Sequence, residues 1–547
     1  MFEELHGRRL MLTDVIYQKE SKLTGWHDYI NMVYRDLLTG EKHLYTIRDP
    51  KYVIYVVKEE YRTFQNARHY LEIEKCDPVE ICYKDRFKAI AEIGGEQTKY
   101  VFRNAKTNNE KKQLFKYPYV LGADIPIETY YRVQWEKELH NDDRKIPTAI
   151  YLDIEVDQFG WDGGGIPRGG ECPIDAISVV DPTSMTVYQF LLHTKDNPQI
   201  DDFINNRQGE VQQRFHEMFD DSYGVFDYRI YMFDDEVDLI TSCFRLIHTL
   251  KRDFCLIWNG MGFDIPYMIE RIYKLGLKAE DVICHSDFPT TTMYLFEDTT
   301  AYDFDKKRDY LDLSSYTHYL DQMIMYASLR KSQGALRRVN LNSVGQNELG
   351  DTKLDYTDVG NFIRFSREDY IRYVLYNVKD TLLQYGIDNK CHDSFSFYNS
   401  CYGSFCGYKD GLKQTVSLRA FFYYEFLNDG YILGHNVNFG GSSGKVETPN
   451  ADDEMSGGDD GFDFGDDEES FEGAINGDPE LNSETGLELF GKRSKYLYGA
   501  CMDFDFSAGM IMARNPVMDW NNSSNGGKNV PMLMLRTQPR ESVGCNG

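Results

Sequence analysis

Thr148-Ala-Ile-Tyr-Leu-Asp-Ile-Glu-Val156 restricts what this chain can fold into more than any other stretch. Its alternation predicts a strand with Ile150, Leu152, Ile154 and Val156 on one face and Tyr151, Asp153 and Glu155 on the other. A strand rises about 3.3 Å per residue, so the two carboxylates stand about 6–7 Å apart. At an effective dielectric of about 20 they repel by about 2–3 kcal/mol. A solvated strand face tolerates that repulsion; a half-buried one needs a proton or a cation. The pair therefore suits a magnesium or manganese site, although a D-x-E on a solvated strand is also common.

The 547-residue chain is long enough for three or four domains, and 41% hydrophobic and 14% aromatic residues supply sizeable cores. A net charge of −28 argues against indiscriminate adhesion to nucleic acid while leaving room for a local basic groove. The 11 cysteines form no C-x-x-C pair and no zinc-ligand spacing with His, which predicts reduced thiols. No signal-peptide core and no run of about 18 apolar residues occurs, so a soluble, cytoplasmic protein with no membrane partner is expected.

Residues 1–145 alternate β-like runs (Val53-Ile-Tyr-Val-Val57, Lys99-Tyr-Val-Phe102) with charged helical stretches. The aromatic–basic mixtures at Tyr61-Arg-Thr-Phe and Tyr130-Tyr-Arg-Val-Gln-Trp135 suit either single-strand binding or, more ordinarily, amphipathic sheet faces. Beyond the first strand, Ile177–Val180 and Thr186–Phe190 flank Asp-Pro-Thr-Ser as a hairpin, and Gly163–Gly170 reads as a flexible loop. Ile230–Phe233 reads as a strand and Glu236–Lys251 as a helix. In Phe254-Cys-Leu-Ile-Trp-Asn-Gly-Met-Gly-Phe-Asp264 a buried strand ends at Asn259, two glycines allow a tight turn, and a helix opens at Ile265-Pro266. Asn259, Phe263 and Asp264 thus fall at a strand-to-helix junction, a usual ligand position, while Asp264 also suits an N-cap. Ser366-Arg-Glu-Asp369 has the form of a capping box opening a helix to about Lys390, on which Tyr376 and Asp380 share a face.

In order and spacing, Asp153-x-Glu155, Asn259-x-x-x-Phe263-Asp264 and Tyr376-x-x-x-Asp380 resemble the three exonuclease motifs of family B DNA polymerases. Leu341-Asn-Ser-Val344 with Glu348-Leu-Gly-Asp-Thr-Lys-Leu-Asp-Tyr356 is similar to the connector that precedes the third motif, and the likeness spans roughly residues 140–515. The resemblance implies an α/β, RNase H-like 3′–5′ exonuclease domain. It also implies that Asp153, Glu155, Asp264 and Asp380 hold two Mg²⁺ or Mn²⁺ ions, with two-metal hydrolysis of DNA ends as the chemistry. By the same likeness Tyr376 orients the attacking water; Leu375 stands where a related subclass has His, which makes this the tyrosine type. Asn259 and Phe263 are implied to hold the frayed single-stranded 3′ end.

Ser417–Leu433 resembles the helix and turn leading into a polymerase palm. Ala451–Ser470 carries ten Asp/Glu and no Lys or Arg, the signature of a disordered linker; without it the chain carries −18. Phe471–Pro479 and Cys501–Asn515 resemble the segment before the palm and the first polymerase motif, which makes Asp505 a palm metal carboxylate. Gly509, Met510 and Ile511 depart from the family's Leu-Tyr-Pro there, and neither the fingers helix nor a Tyr-Gly-Asp-Thr-Asp hairpin occurs before Gly547. The expected layout is a mixed α+β N-terminal domain (1–145), the exonuclease domain (146–392), a helical connector (393–450), an acidic linker (451–470) and an incomplete palm (471–547). The expected function is the proofreading part of a viral or phage-like replicative polymerase acting on primer-template DNA. Nucleotidyl transfer would need a second polymerase chain, with a sliding clamp as a further partner. A stand-alone exonuclease in repair or recombination, or a non-catalytic DNA-binding subunit, are the alternatives.

Overall fold

The computed structural model describes residues 2–435 apart from 23, 63–67, 140–145, 164, 195, 302 and 331–337. The acidic stretch 451–470, the palm-like segment and Asp505 lie outside the described residues.

The central layer is a six-stranded mixed sheet. Its strands are Ala149–Val156 (β1), Ile174–Asp181 (β2), Thr186–Leu192 (β3), Asp227–Phe233 (β4), Phe254–Ile257 (β5) and His318–Asp321 (β6), in the order β4-β3-β2-β1-β5-β6. The hairpin β2–β3 is antiparallel, as is β1–β2; β4 runs parallel to β3, and β1, β5 and β6 are mutually parallel. The alternation in β1 divides two cores. Ile150, Leu152, Ile154 and Val156 pack with Leu239, Ile240 and Ile247 of Glu236–Leu250 (α1) and Ile265, Met268 and Ile272 of Asp264–Lys274 (α2). Tyr151 joins the opposite core, with Val374, Val378 and Leu382 of the 22-residue helix Tyr370–Cys391, here called α4. The short helix Leu341–Leu349 (α3) packs beside α4. Each fully buried aliphatic side chain contributes about 1.5–3 kcal/mol, and a one-residue register slip would exchange the two faces.

Several local expectations change. Lys99–Phe102 lies in a helix, Glu96–Asn104, because three consecutive apolar residues do not separate strand from helix. There Thr98 is buried and its hydroxyl donates to the carbonyls of Ala91 and Gly95. Tyr130–Trp135 also belongs to a helix, Ile127–Leu139, with both tyrosines and the tryptophan inside the N-terminal core. Ser366 does not cap α4. It sits in the preceding helix Phe362–Glu368, and the carboxylate of Asp369 accepts from the Arg372 N–H as the true N-cap. The connector ends in a strand, Tyr431–His435, that pairs with Arg68–Glu72 in the N-terminal part.

The N-terminal antiparallel sheet Leu10–Gln18, Tyr29–Asp36 and Lys42–Arg48 is joined to the central sheet by a buried charge cluster. Asp253, just before β5, pairs with Lys42 and Arg35 at 2.8 Å each and accepts from the Thr148 N–H at 2.7 Å, beside the start of β1. Among the described residues no helix is long and apolar enough to cross a membrane.

Candidate active site

Three elements converge above the polar face of β1. α4 lies across β1 and β2 with Tyr373, Asn377, Asp380, Thr381, Gln384 and Asp388 buried at three-to-four-residue spacing. It brings Asp380 to Asp153 and Glu155: one carboxylate oxygen from each of the three lies within 4.8 Å of the others. Asp264 enters from the end of β5 and accepts from the Ile154 N–H at 3.4 Å. It lies outside the three-acid group but near enough for its charge to act on Asp153.

The turn that delivers Asp264 works differently from a glycine turn. Asn259 takes the left-handed conformation (φ 59°), whereas Gly260 is needed for space and Gly262 meets only the Asn259 side chain. A Cβ on Gly260 would stand 2.6 Å from Ile257 Cβ, and one on Gly262 would stand 2.5 Å from Asn259 Oδ1. Asp264 is the first residue of α2, and Phe263 holds the cap position without a side-chain bond. Phe263 is half-buried, stacked on Tyr267 with ring centroids 5.3 Å apart, and Asn259 is also half-buried.

The electrostatics are those of crowded acids. Burial, then Asp380 and Asp264, raise the Asp153 pKa well above the carboxylate range, against Lys353 and Asn377. Burial, then Asp153 and Asp380, do the same to Glu155. Burial pushes Asp264 up to about 8 against the Ile154 N–H, with Asp321 adding to the rise. Burial also raises Asp380, restrained by Lys353.

Lys353 was not singled out by the motifs, although the connector that carries it was. Its Nζ lies 2.6 Å from Asp380 Oδ2 and 3.4 Å from the Tyr376 hydroxyl. Tyr223 donates to Asp351 at 2.7 Å, and Lys379 of α4 pairs with the same carboxylate, which anchors the strand-free connector. Tyr376 is walled by Tyr356, Phe362 and Phe365. Two further residues escaped the motifs. Asn377 donates to Asp153 Oδ2 at 2.8 Å; it sits on the polar stripe of α4, the signal that could have found it. Asp321, at the end of β6, accepts from the N–H groups of Met261 and Ile324 at 3.0 Å each, tying the Asn259–Phe263 turn to the helix Gln322–Leu329.

The donor set suits hard divalent cations. It offers carboxylate oxygens at half-buried to buried positions, and Asp380 Oδ1 is buried with no hydrogen-bond partner.

Comparison with known proteins agrees with this reading. Residues 123–332 match the exonuclease domain of DNA polymerase family B, a span that includes Asp153, Glu155, Asn259, Phe263 and Asp264 and ends before Tyr376 and Asp380. The DNA polymerase of Bombyx mori nuclear polyhedrosis virus is 26% identical over 178 residues, 32% of this chain and 17% of that protein. That of Autographa californica nuclear polyhedrosis virus is 26% identical over 185 residues, 33% of this chain and 17% of that protein. The DNA-directed DNA polymerase of Enterobacteria phage T4 is 26% identical over 341 residues, 55% of this chain and 35% of that protein. The chain therefore spans well under two thirds of the length of these relatives. Family B exonuclease domains have an RNase H-like α/β fold, and the mixed sheet with helices on both faces agrees with it. Residues 123–332 thus form a domain of the kind found as the exonuclease domain of DNA polymerase family B.

Proposed function

We propose that the chain is the proofreading portion of a family B replicative polymerase, and that it removes nucleotides from single-stranded 3′ DNA ends. The observation that carries this reading is the convergence of Asp153, Glu155 and Asp380 within 4.8 Å, beside Tyr376 and with Asp264 adjacent. Asp153, Glu155, Asp264 and Asp380 would hold two Mg²⁺ or Mn²⁺ ions. When bound, such ions neutralise the acids, activate water and stabilise charge developing on the phosphate and the leaving oxygen.

The other roles fall to the chain's own side chains. The Tyr376 hydroxyl, kept protonated by burial and by the neighbouring Asp380, orients the attacking water. Burial opposes the charge of Lys353, but Asp380, Tyr376 and Asp153 outweigh it, so Lys353 stays cationic and restrains both Asp380 and the Tyr376 hydroxyl. Asn259 and Phe263 receive the frayed end, Phe263 by stacking on a terminal base. Polymerisation, with Asp505 as a palm carboxylate, a second chain completing the palm, and a clamp, is proposed from the sequence alone. So are the five-part domain layout and a location in the cytoplasm of a host cell.

The test is a 5′-labelled single-stranded oligonucleotide incubated with Mg²⁺. Stepwise 3′→5′ shortening is expected, and its loss in Asp153→Ala/Glu155→Ala. Absence of shortening by the wild type, or equal shortening by the double variant, overturns the reading.

A further inference from the structure

Asp153 stands at one end of a row of polar groups that crosses the sheet beneath α4. Its cross-strand neighbour on β2 is Ser178, which in turn faces Gln189 on β3. Gln189 and Asn377 are fully buried. Gln189 Nε2 donates to Asn377 Oδ1 at 2.9 Å, and Asn377 Nδ2 donates to Asp153 Oδ2 at 2.8 Å. At the far end the Tyr228 hydroxyl, on β4, donates to Gln189 Oε1 at 3.4 Å.

The direction of this relay follows from chemistry. Asn377 Nδ2 also lies 3.3 Å from the Asp153 backbone carbonyl, which can only accept, so Asn377 turns its NH₂ toward Asp153 and its oxygen toward Gln189. Gln189 must then offer its own NH₂, which leaves its oxygen for a phenol that burial keeps protonated. Every dipole in the row thus points a donor toward Asp153. Packing does not account for the arrangement. The neighbours of Gln189 on this face of β3, Val187 and Leu191, belong to an apolar core, where a buried amide costs free energy unless fully paired.

We propose that Gln189 and Tyr228 are positioning residues for the metal-binding carboxylate: acting through Asn377, they hold Asp153 turned toward Glu155 and Asp380. The inference rests on the metal-binding reading above. Outer partners of this kind typically govern affinity by about 10- to 100-fold.

The test uses the full chain and Mn²⁺ alone, with free Mn²⁺ read by electron paramagnetic resonance and folding followed by circular dichroism and melting midpoint. Gln189→Met should weaken Mn²⁺ binding about 10- to 100-fold. Gln189→Glu should weaken it further, because a carboxylate there draws the Asn377 NH₂ away and turns its oxygen against Asp153. Tyr228→Phe removes one hydroxyl near the sheet edge and should weaken binding by a smaller factor. A merely structural role lowers melting midpoints while leaving Mn²⁺ affinity unmoved, and that outcome overturns the relay. If the Gln189 variants fail to fold, Tyr228→Phe decides: unchanged affinity overturns the proposal. If the wild type binds no Mn²⁺, or Asp153→Ala/Glu155→Ala binds it equally, the metal reading fails and the relay with it. Wild-type binding matched by all three relay variants removes the relay alone.

Discussion

Replacing Glu155 by glutamine should make the chelated protein more stable while destroying its site. One Glu155 oxygen lies within 4.8 Å of oxygens on both Asp153 and Asp380. Two unit charges at that distance repel by about 3.5 kcal/mol at an effective dielectric of about 20. The folded protein escapes part of this by taking up protons: burial, Asp153 and Asp380 hold the Glu155 pKa well above its ordinary 4.5. A carboxyl raised on folding contributes stability that is fully present below its unfolded pKa and is lost as pH rises toward the folded one. The wild type without metal should therefore weaken from pH 5 to pH 8, and Glu155→Gln should not follow that part of the loss. At pH 8 the gain should reach about 2–3 kcal/mol, the repulsion discounted for residual protonation. For a cooperative unit of about 150–250 residues that corresponds to a melting midpoint higher by about 4–12 °C. Differential scanning fluorimetry in EDTA at pH 5, 6, 7 and 8 measures it; the two curves should converge at pH 5, and their order should reverse in excess Mn²⁺. A variant less stable than wild type at pH 8 in EDTA, or a gap independent of pH, would refute the crowded-acid argument.

Lys353→Met should have the opposite sign. It leaves Asp380 without its partner, and because the lysine side chain is 33% exposed the loss should be about 1–3 kcal/mol in chelated protein at pH 8, recovered by Mn²⁺ in the same melts. Asp253→Ala strands Lys42 and Arg35 at the joint between the N-terminal and central sheets and should cost about 3–5 kcal/mol in urea unfolding. Burial alone would raise the Asp253 pKa, but Lys42 and Arg35 hold it down to about 2, so in the wild type this contribution is present above the unfolded value of 3.8 and disappears as pH falls through about 2. Asp321→Ala removes a cap worth about 1 kcal/mol together with the tie to Met261; fluorescence anisotropy should show weaker binding of a single-stranded 3′ end, with the circular dichroism spectrum retained.

What the sequence made legible follows from which signals are local. The two faces of β1 could be read because each is buried against a different core, so the alternation carries the whole constraint. The strand-to-helix junction at Asn259–Asp264 was legible too, but the reason for its glycines was not. Gly260 is required by its close approach to Ile257, which only the folded turn reveals. The start of α4 was misplaced because Ser366 and Asp369 are both good caps, and the preceding helix through Glu368 hides which one ends a turn. Lys353 reaches the acids through an irregular connector held by Tyr223 and Lys379, contacts more than twenty residues away that no periodicity encodes.

The polar stripe of α4 shows why the site sits where it does. A helix buried along most of its length tolerates polar side chains only where they find partners. Tyr373 donates to Asp175, Asn377 joins Gln189 to Asp153, Thr381 meets Ser178, and Asp388 accepts from Tyr151. Among the described residues of this stripe, two acceptors stay unpaired: Gln384 Oε1 and Asp380 Oδ1. A neutral amide oxygen left so costs about 1–3 kcal/mol, which a domain of this size absorbs. An ionised oxygen costs far more, and Lys353 satisfies only the other oxygen of Asp380. The remaining demand at Asp380, grouped with two further acids, is one that a proton meets at low pH and that a divalent cation would meet at neutral pH. A single stripe of side chains therefore does two things: its paired members hold the helix on the sheet and tie it to Asp153, and the unpaired acceptor at Asp380 is the point of the stripe that a cation would satisfy.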